Sequence, residues 1–200
     1  MSFAAKALMV LLSIAASAAD RPVFRPKPIA ELTDKVSVEK VTIAVEAFDE
    51  AGRIAEAFGK LQLQRFDVLP VYLVIANARD TPLDLKRFTV TYRPRGGSEI
   101  EAIPASEVRF LDGPSRPNMS PFPGRYPIPL PQRRKKGPLE SQQFEERGFA
   151  AKMIAPGETA QGFVYFQTAY HGPVTITVSG MRDPVKNQDL FYIDVPLTHR

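Results

Sequence analysis

The sequence contains no cysteine. Disulfides are therefore excluded, together with thiol catalysis, thiolate-ligated metals and a lipid anchor attached at a cysteine. Histidine is almost as scarce: His171 sits in the turn His171-Gly172-Pro173, and His199 is one residue from the end of the chain. Two histidines without cysteine do not build a three-nitrogen zinc site, so His171 reads as a solvated turn residue. Net charge is small, +4 over 200 residues, too weak to argue for nucleic-acid binding from the total. No apolar run reaches the roughly 20 residues that a membrane-spanning helix needs.

One apolar run is nevertheless marked. Ala7 to Ala16 follows Lys6, and Ala16-Ser17-Ala18 and Ser17-Ala18-Ala19 place small residues where a signal peptidase reads them, just before Asp20 and Arg21. Residues 1–19 are expected to be a signal peptide, and the mature protein to be periplasmic or secreted. Its loss removes only Lys6 and leaves a net charge of +3. Residues 20–35 then open with Pro22, Pro26 and Pro28, which remove backbone donors and favour extended geometry. They are expected to form an extended N-terminal arm.

From Val36 onward the dominant signal is strand periodicity. Val36 and Val38 share one parity and Val41, Ile43 and Val45 the other, which predicts a bulge or two successive strands around Glu39-Lys40. Asp49 to Gly59 predicts a short helix, capped by Asp49, with an apolar stripe of Ala51, Ile54 and Phe58 and a glycine stop. Val68 to Ala78 is apolar on both faces, as is Gly162 to Phe166, so both are expected to be central strands. Phe88, Val90 and Tyr92 alternate with polar residues, and Arg95-Gly96-Gly97-Ser98 predicts a hairpin into Glu99–Ile103. Further strands are expected at 150–155, 174–178 and 191–195, and a second short helix within 139–149 with Ser141 as its cap. The pattern predicts an all-β, two-sheet antiparallel sandwich of seven to eight strands with two short helices, a single domain over 36–200.

One segment breaks this pattern. Eight of residues 111–138 are proline, and no period survives there. Between 109 and 136, seven basic side chains stand against Asp112 alone. A long proline-rich basic loop is expected, exposed and dispensable for folding.

At this point the chain resembles a family. Pro70-Val71-Tyr72-Leu73-Val74-Ile75-Ala76-Asn77, then Pro82-Leu83, then Ile154-Ala155-Pro156-Gly157-Glu158 and Gly162-Phe163-Val164-Tyr165-Phe166, is similar to uncharacterised bacterial exported immunoglobulin-like domains. The resemblance covers roughly residues 60–200 in outline and implies an immunoglobulin-like sandwich. It implies no activity, because its motifs are a strand end, a turn and a central strand. The basic insert at 111–138 departs from the simpler members.

Candidate chemistry is thin. No Gly-x-Ser-x-Gly occurs, and Ser37-Val38-Glu39-Lys40 matches Ser-x-x-Lys on a stretch that reads as strand, where the pair does not share a helical face. Glu99 and Glu101 share one strand face and read as partners of Arg93 or Arg95 across the hairpin. Asp183, Asn187 and Asp189 supply oxygens at a spacing unlike an EF-hand, with Lys186 among them. No metal and no cofactor is implied. The best candidate is the basic segment, with Arg125, Arg133, Arg134, Lys135 and Lys136 facing an anionic lipid or polysaccharide or an envelope protein. The expected function is a non-enzymatic module of the cell envelope that binds through loops or a sheet edge. The alternative is a hydrolase or metal-binding enzyme with its site against 111–149.

Overall fold

The computed structural model describes residues 24–111, 139 and 141–198. The expected signal peptide and residues 112–138 lie outside the described residues. Among the latter are twelve strands and two α-helices. In chain order the elements are β1 (Asp34–Val38), β2 (Val41–Ala47), α1 (Ala51–Phe58), β3 (Val68–Asn77), β4 (Leu83–Asp84), β5 (Thr89–Pro94) and β6 (Ile100–Glu101). There follow α2 (Gln143–Arg147), β7 (Met153–Ile154), β8 (Thr159–Gln167), β9 (Val174–Ser179), β10 (Arg182–Asp183), β11 (Gln188–Asp189) and β12 (Ile193–Leu197).

The strands form three antiparallel sheets of four: β1-β2-β3-β8, β12-β9-β5-β6 and β11-β10-β4-β7. The excess over seven or eight strands lies in ladders of two residues, such as β4, β7, β10 and β11, which are too short to carry a readable period. The switch of parity at Glu39-Lys40 is a tight hairpin. Val38 pairs with Val41, and both turn residues have positive φ, 48° and 63°, as a two-residue turn between twisted strands requires.

The first sheet is the middle layer. On β3, Leu69, Val71, Leu73 and Ile75 face a core shared with Val90, Tyr92, Ile176, Val178 and Val195 of the second sheet and Leu83 and Ile154 of the third. Tyr72 and Val74 face the opposite way, with Ala44, Phe163 and Tyr165, into a second core. That core is roofed by Ile54, Ala57 and Phe58 of α1, Leu63, Val108 and Phe144. β3 is central as expected, but β8, expected to be central too, is the end strand of its sheet. The two-faced apolarity of both reflects cover on each face, sheets on one and helices and turns on the other, not a strand neighbour on each side. The α1 stripe is rotated from expectation, since Ala57 is buried and Ala51 exposed, and its N-cap is Glu50, whose side chain makes no capping bond. Gly59 ends it at φ +67°, its amide donating to the Ala55 carbonyl at 2.8 Å. The second helix begins one residue later than expected: its N-cap is Gln142, which makes no side-chain capping bond, while the Ser141 hydroxyl, just ahead of it, accepts from the Gln143 amide at 3.3 Å.

The stretch ahead of β1 is not a detached arm. Phe24 packs edge-on against Phe48 and Tyr72 with ring centroids 5.8 and 6.0 Å apart. Leu32 is buried, and β1 begins at Asp34, whose carboxylate accepts from the Thr198 amide and hydroxyl at 2.8 and 2.7 Å. Prolines 26 and 28 leave the backbone extended, but an aromatic and a leucine between charged residues supply enough apolar surface to dock it.

Candidate functional site

The two polar hubs of the fold are structural. Asn77, at the end of β3, is buried with its amide nitrogen donating to the carbonyls of Thr81, Ile154 and Ala155 at 3.0, 3.1 and 3.2 Å. Its side-chain oxygen accepts from the Arg79 amide at 3.1 Å. One side chain thus ties the exit of β3 to the Ala155-Pro156-Gly157-Glu158 turn, where Glu158 bonds back to Ala155 and Gly157 takes φ +77°. Asp183 is the second hub. One oxygen accepts from the Val185 and Lys186 amides, both at 3.0 Å, and the other from Arg79 and the Thr81 hydroxyl at 2.8 and 2.7 Å. These donors, the Lys186 amide and the Thr81 hydroxyl foremost, hold its carboxyl far below the ordinary range against the opposing effect of burial. Both Asp183 oxygens are thus taken by protein donors, the Asn187 side-chain oxygen accepts from Arg182, and exposed Asp189 pairs loosely with Arg182 at 3.7 Å.

The other sequence candidates also resolve into ordinary contacts. Glu99 pairs with Arg93 at 2.7 Å across the hairpin, as its position predicted. Ser37 lies on β1 and shares a hydrogen bond of 2.8 Å with Thr42, while Lys40 lies in the turn. The basic residues Arg125, Arg133, Arg134, Lys135 and Lys136 fall outside the described residues.

A concave feature emerges instead where 150–155 departs from expectation. Only Met153 and Ile154 join a ladder, as β7; Ala150 to Lys152 run beside the sheet without continuing it. The cause lies upstream. Gly148 and Phe149 are drawn to the edge of β8: Phe149 donates to the Phe163 carbonyl at 2.9 Å, and Gly148 bridges Phe163 in parallel. Gly162 makes this approach possible, since a Cβ there would lie 2.6 Å from the backbone of Phe149. The chain must then cross from β8 to β4, where the Leu85 amide donates to the Lys152 carbonyl at 2.9 Å.

The crossing leaves a groove of about 900 Å³. Phe88 and Phe149 stack along it with centroids 5.2 Å apart, both half-buried. Buried Leu85 lines it as well, together with Pro104, Ser106, Ala150 and Ala151. Lys86 and Lys152 line it and are exposed, and among the described residues no carboxylate or histidine lines it. Lys86 has Asp84 at 3.8 Å, and Lys152 makes no ion pair among the described residues. Neither Ala150 nor Ala151 makes a backbone hydrogen bond among the described residues.

Sequence reading missed this site because Phe88 and Phe149 are far apart in the chain. A local signal does exist: in Phe149-Ala150-Ala151-Lys152 two small alanines, which cannot shield the backbone, follow an aromatic residue. Comparison with known proteins finds no matching family model, no matching curated protein and no matching solved structure.

Proposed function

We propose that this chain is an exported, immunoglobulin-like binding module of the bacterial cell envelope that takes a protein partner at the Phe88–Phe149 groove. The observation that carries the reading is the conjunction of two stacked, half-exposed phenylalanines with an adjacent open strand edge. Apolar rings fill a concave site at small entropic cost, and an unpaired backbone beside them offers direction. Among the described residues the polar groups on the groove are two lysines and Ser106, a set suited to holding an anionic partner. The short apolar run at the start of the sequence supports export, and the two facing antiparallel sheets support the immunoglobulin-like assignment.

The test is retention of the mature chain on isolated envelopes. Reversing Lys86 and Lys152 together to glutamate turns two exposed attractions into repulsions, and should weaken retention roughly tenfold without changing the thermal midpoint by more than about 2 °C. Reversing Arg93 on the outer face of the second sheet should not. Equal retention of the Lys86/Lys152 variant and the parent refutes the groove as the partner site.

A further inference from the structure

We propose that the groove accepts a short, acidic, proline-bearing segment of the partner in polyproline geometry, held through its side chains and not by strand pairing. The proposal rests on the groove being the partner site, as above. The backbone beside the rings offers no ladder: the chain bends at Lys152, and β7 is only Met153 and Ile154. Both β7 residues pair with β4, and the Lys152 carbonyl already accepts from the Leu85 amide. Whatever enters must therefore be held mainly by side-chain contacts. Phe88 and Phe149 supply them, stacked with centroids 5.2 Å apart and an interplanar angle of 28°. Exposed Pro104 extends the apolar lining. The volume of about 900 Å³ lies within the roughly 300–1,000 Å³ typical of small-ligand sites, so it takes a few residues and not one face of a multi-turn helix.

A polyproline segment meets these conditions. It has no internal hydrogen bonds and needs no ladder, its pyrrolidine rings pack on aromatic side chains, and its preformed geometry lowers the entropy lost on docking. Its free carbonyls can accept from the exposed Ser106 hydroxyl. Charge then selects among such segments. Lys86 and Lys152 line the groove and, among the described residues, no carboxylate does, which favours glutamate or aspartate beside the prolines. The proline-rich stretch of this chain, 111–138, is basic, with Asp112 as its one acidic residue. Its charge has the same sign as that of the groove, so the two lysines favour a partner's segment over the chain's own.

A synthetic peptide of prolines around one central leucine, with a glutamate near each end, is the probe. Titrated into the full mature chain by calorimetry, it should bind at low salt and more weakly as salt rises. Replacing its prolines by alanine should weaken binding about fivefold or more, since the preformed geometry and the ring contacts are both lost. A strand-forming peptide of alternating threonine and valine with the same glutamates should bind less tightly than the proline peptide. Lys86→Glu/Lys152→Glu should weaken the glutamate peptide about tenfold and favour its lysine-flanked counterpart by a similar factor. Equal or tighter binding of the alanine or the threonine–valine peptide overturns the polyproline geometry. Equal binding of glutamate- and lysine-flanked peptides overturns charge selection. Should no peptide bind while envelope retention still depends on Lys86 and Lys152, the proline-bearing segment is wrong and the groove reading stands. Should retention be indifferent to both lysines as well, the groove is not the site.

Discussion

Gly162→Ala tests how the groove is made. A methyl group at position 162 would sit 2.6 Å from the Cα and nitrogen of Phe149 and 2.9 Å from the carbonyl carbon of Gly148. These are backbone atoms, so no side-chain rotation relieves the overlap. The 148–149 segment must move off β8, stretching the 2.9 Å bond from the Phe149 amide to Phe163 and shifting the Phe149 ring relative to Phe88. Overpacking of this kind costs about 1–3 kcal/mol. Weakening one hydrogen bond adds about 0.5–1.5 kcal/mol. Replacing glycine in a strand returns about 0.5–1 kcal/mol of backbone entropy. The net loss is about 0.5–4 kcal/mol, centred near 2 kcal/mol, or a fall of roughly 4–8 °C in the thermal midpoint at that centre for a chain of this size. Gly52→Ala in α1 is the internal control: its Cβ would meet nothing within 4 Å, and helix propensity there should raise stability by up to about 1 kcal/mol. Urea denaturation of both variants, with the slope checked for constancy, reads the two signs. If Gly162→Ala is as stable as Gly52→Ala, the packing of 148–149 on β8 is wrong, and with it the origin of the groove.

Three further outcomes follow from the fold. Val74→Asp places an unpaired carboxylate where Val74 is 1% exposed in the second core; the several kcal/mol this costs should unfold the chain, and circular dichroism at 25 °C reads it. Asp183 has a folded-state pKa below its unfolded value, so its contribution is complete above the ordinary aspartate value near 3.9 and is lost as pH falls through that value toward the folded one. Asp183→Asn should therefore flatten the dependence of the urea midpoint on pH between about 5 and 3, and an unchanged slope would remove Asp183 from the acid response. Replacing Glu39-Lys40 by Asn-Gly relieves two non-glycine residues at positive φ and should raise the thermal midpoint, even though the exposed contact of Glu39 with Arg79 at 3.1 Å is lost.

Several elements were legible because they are local. The break between two strands at Glu39-Lys40, the helix ending at Gly59 and the Arg93–Glu99 pair each depend on residues a few positions apart. β3 was legible because nearly all of its ten residues are apolar and buried. What covered its second face was not, since periodicity reports that a face is buried and never by what. The 191–195 strand was misplaced at its start: Phe191 is 74% exposed and β12 begins at Ile193, so alternation ran past the point where pairing with β9 begins. Arg79 and Asp183 meet across 104 residues, and no local pattern marks either as the other's partner. The groove belongs to the same class. It exists because Gly162 lets one segment cross an edge, and a glycine in a strand looks the same in sequence whether it relieves a close approach or nothing at all.

Photo-crosslinking from position 151 in intact cells tests the partner site most directly. A short-range photoreactive residue replacing Ala151 reaches only what occupies the groove or the β7 edge, and one replacing Thr91 reports on the outer face of the second sheet. Position 151 is expected to yield a discrete protein adduct that Lys86→Glu/Lys152→Glu abolishes, and position 91 to yield none. An adduct from position 91 with none from 151 would place the partner on the other sheet and contradict the groove.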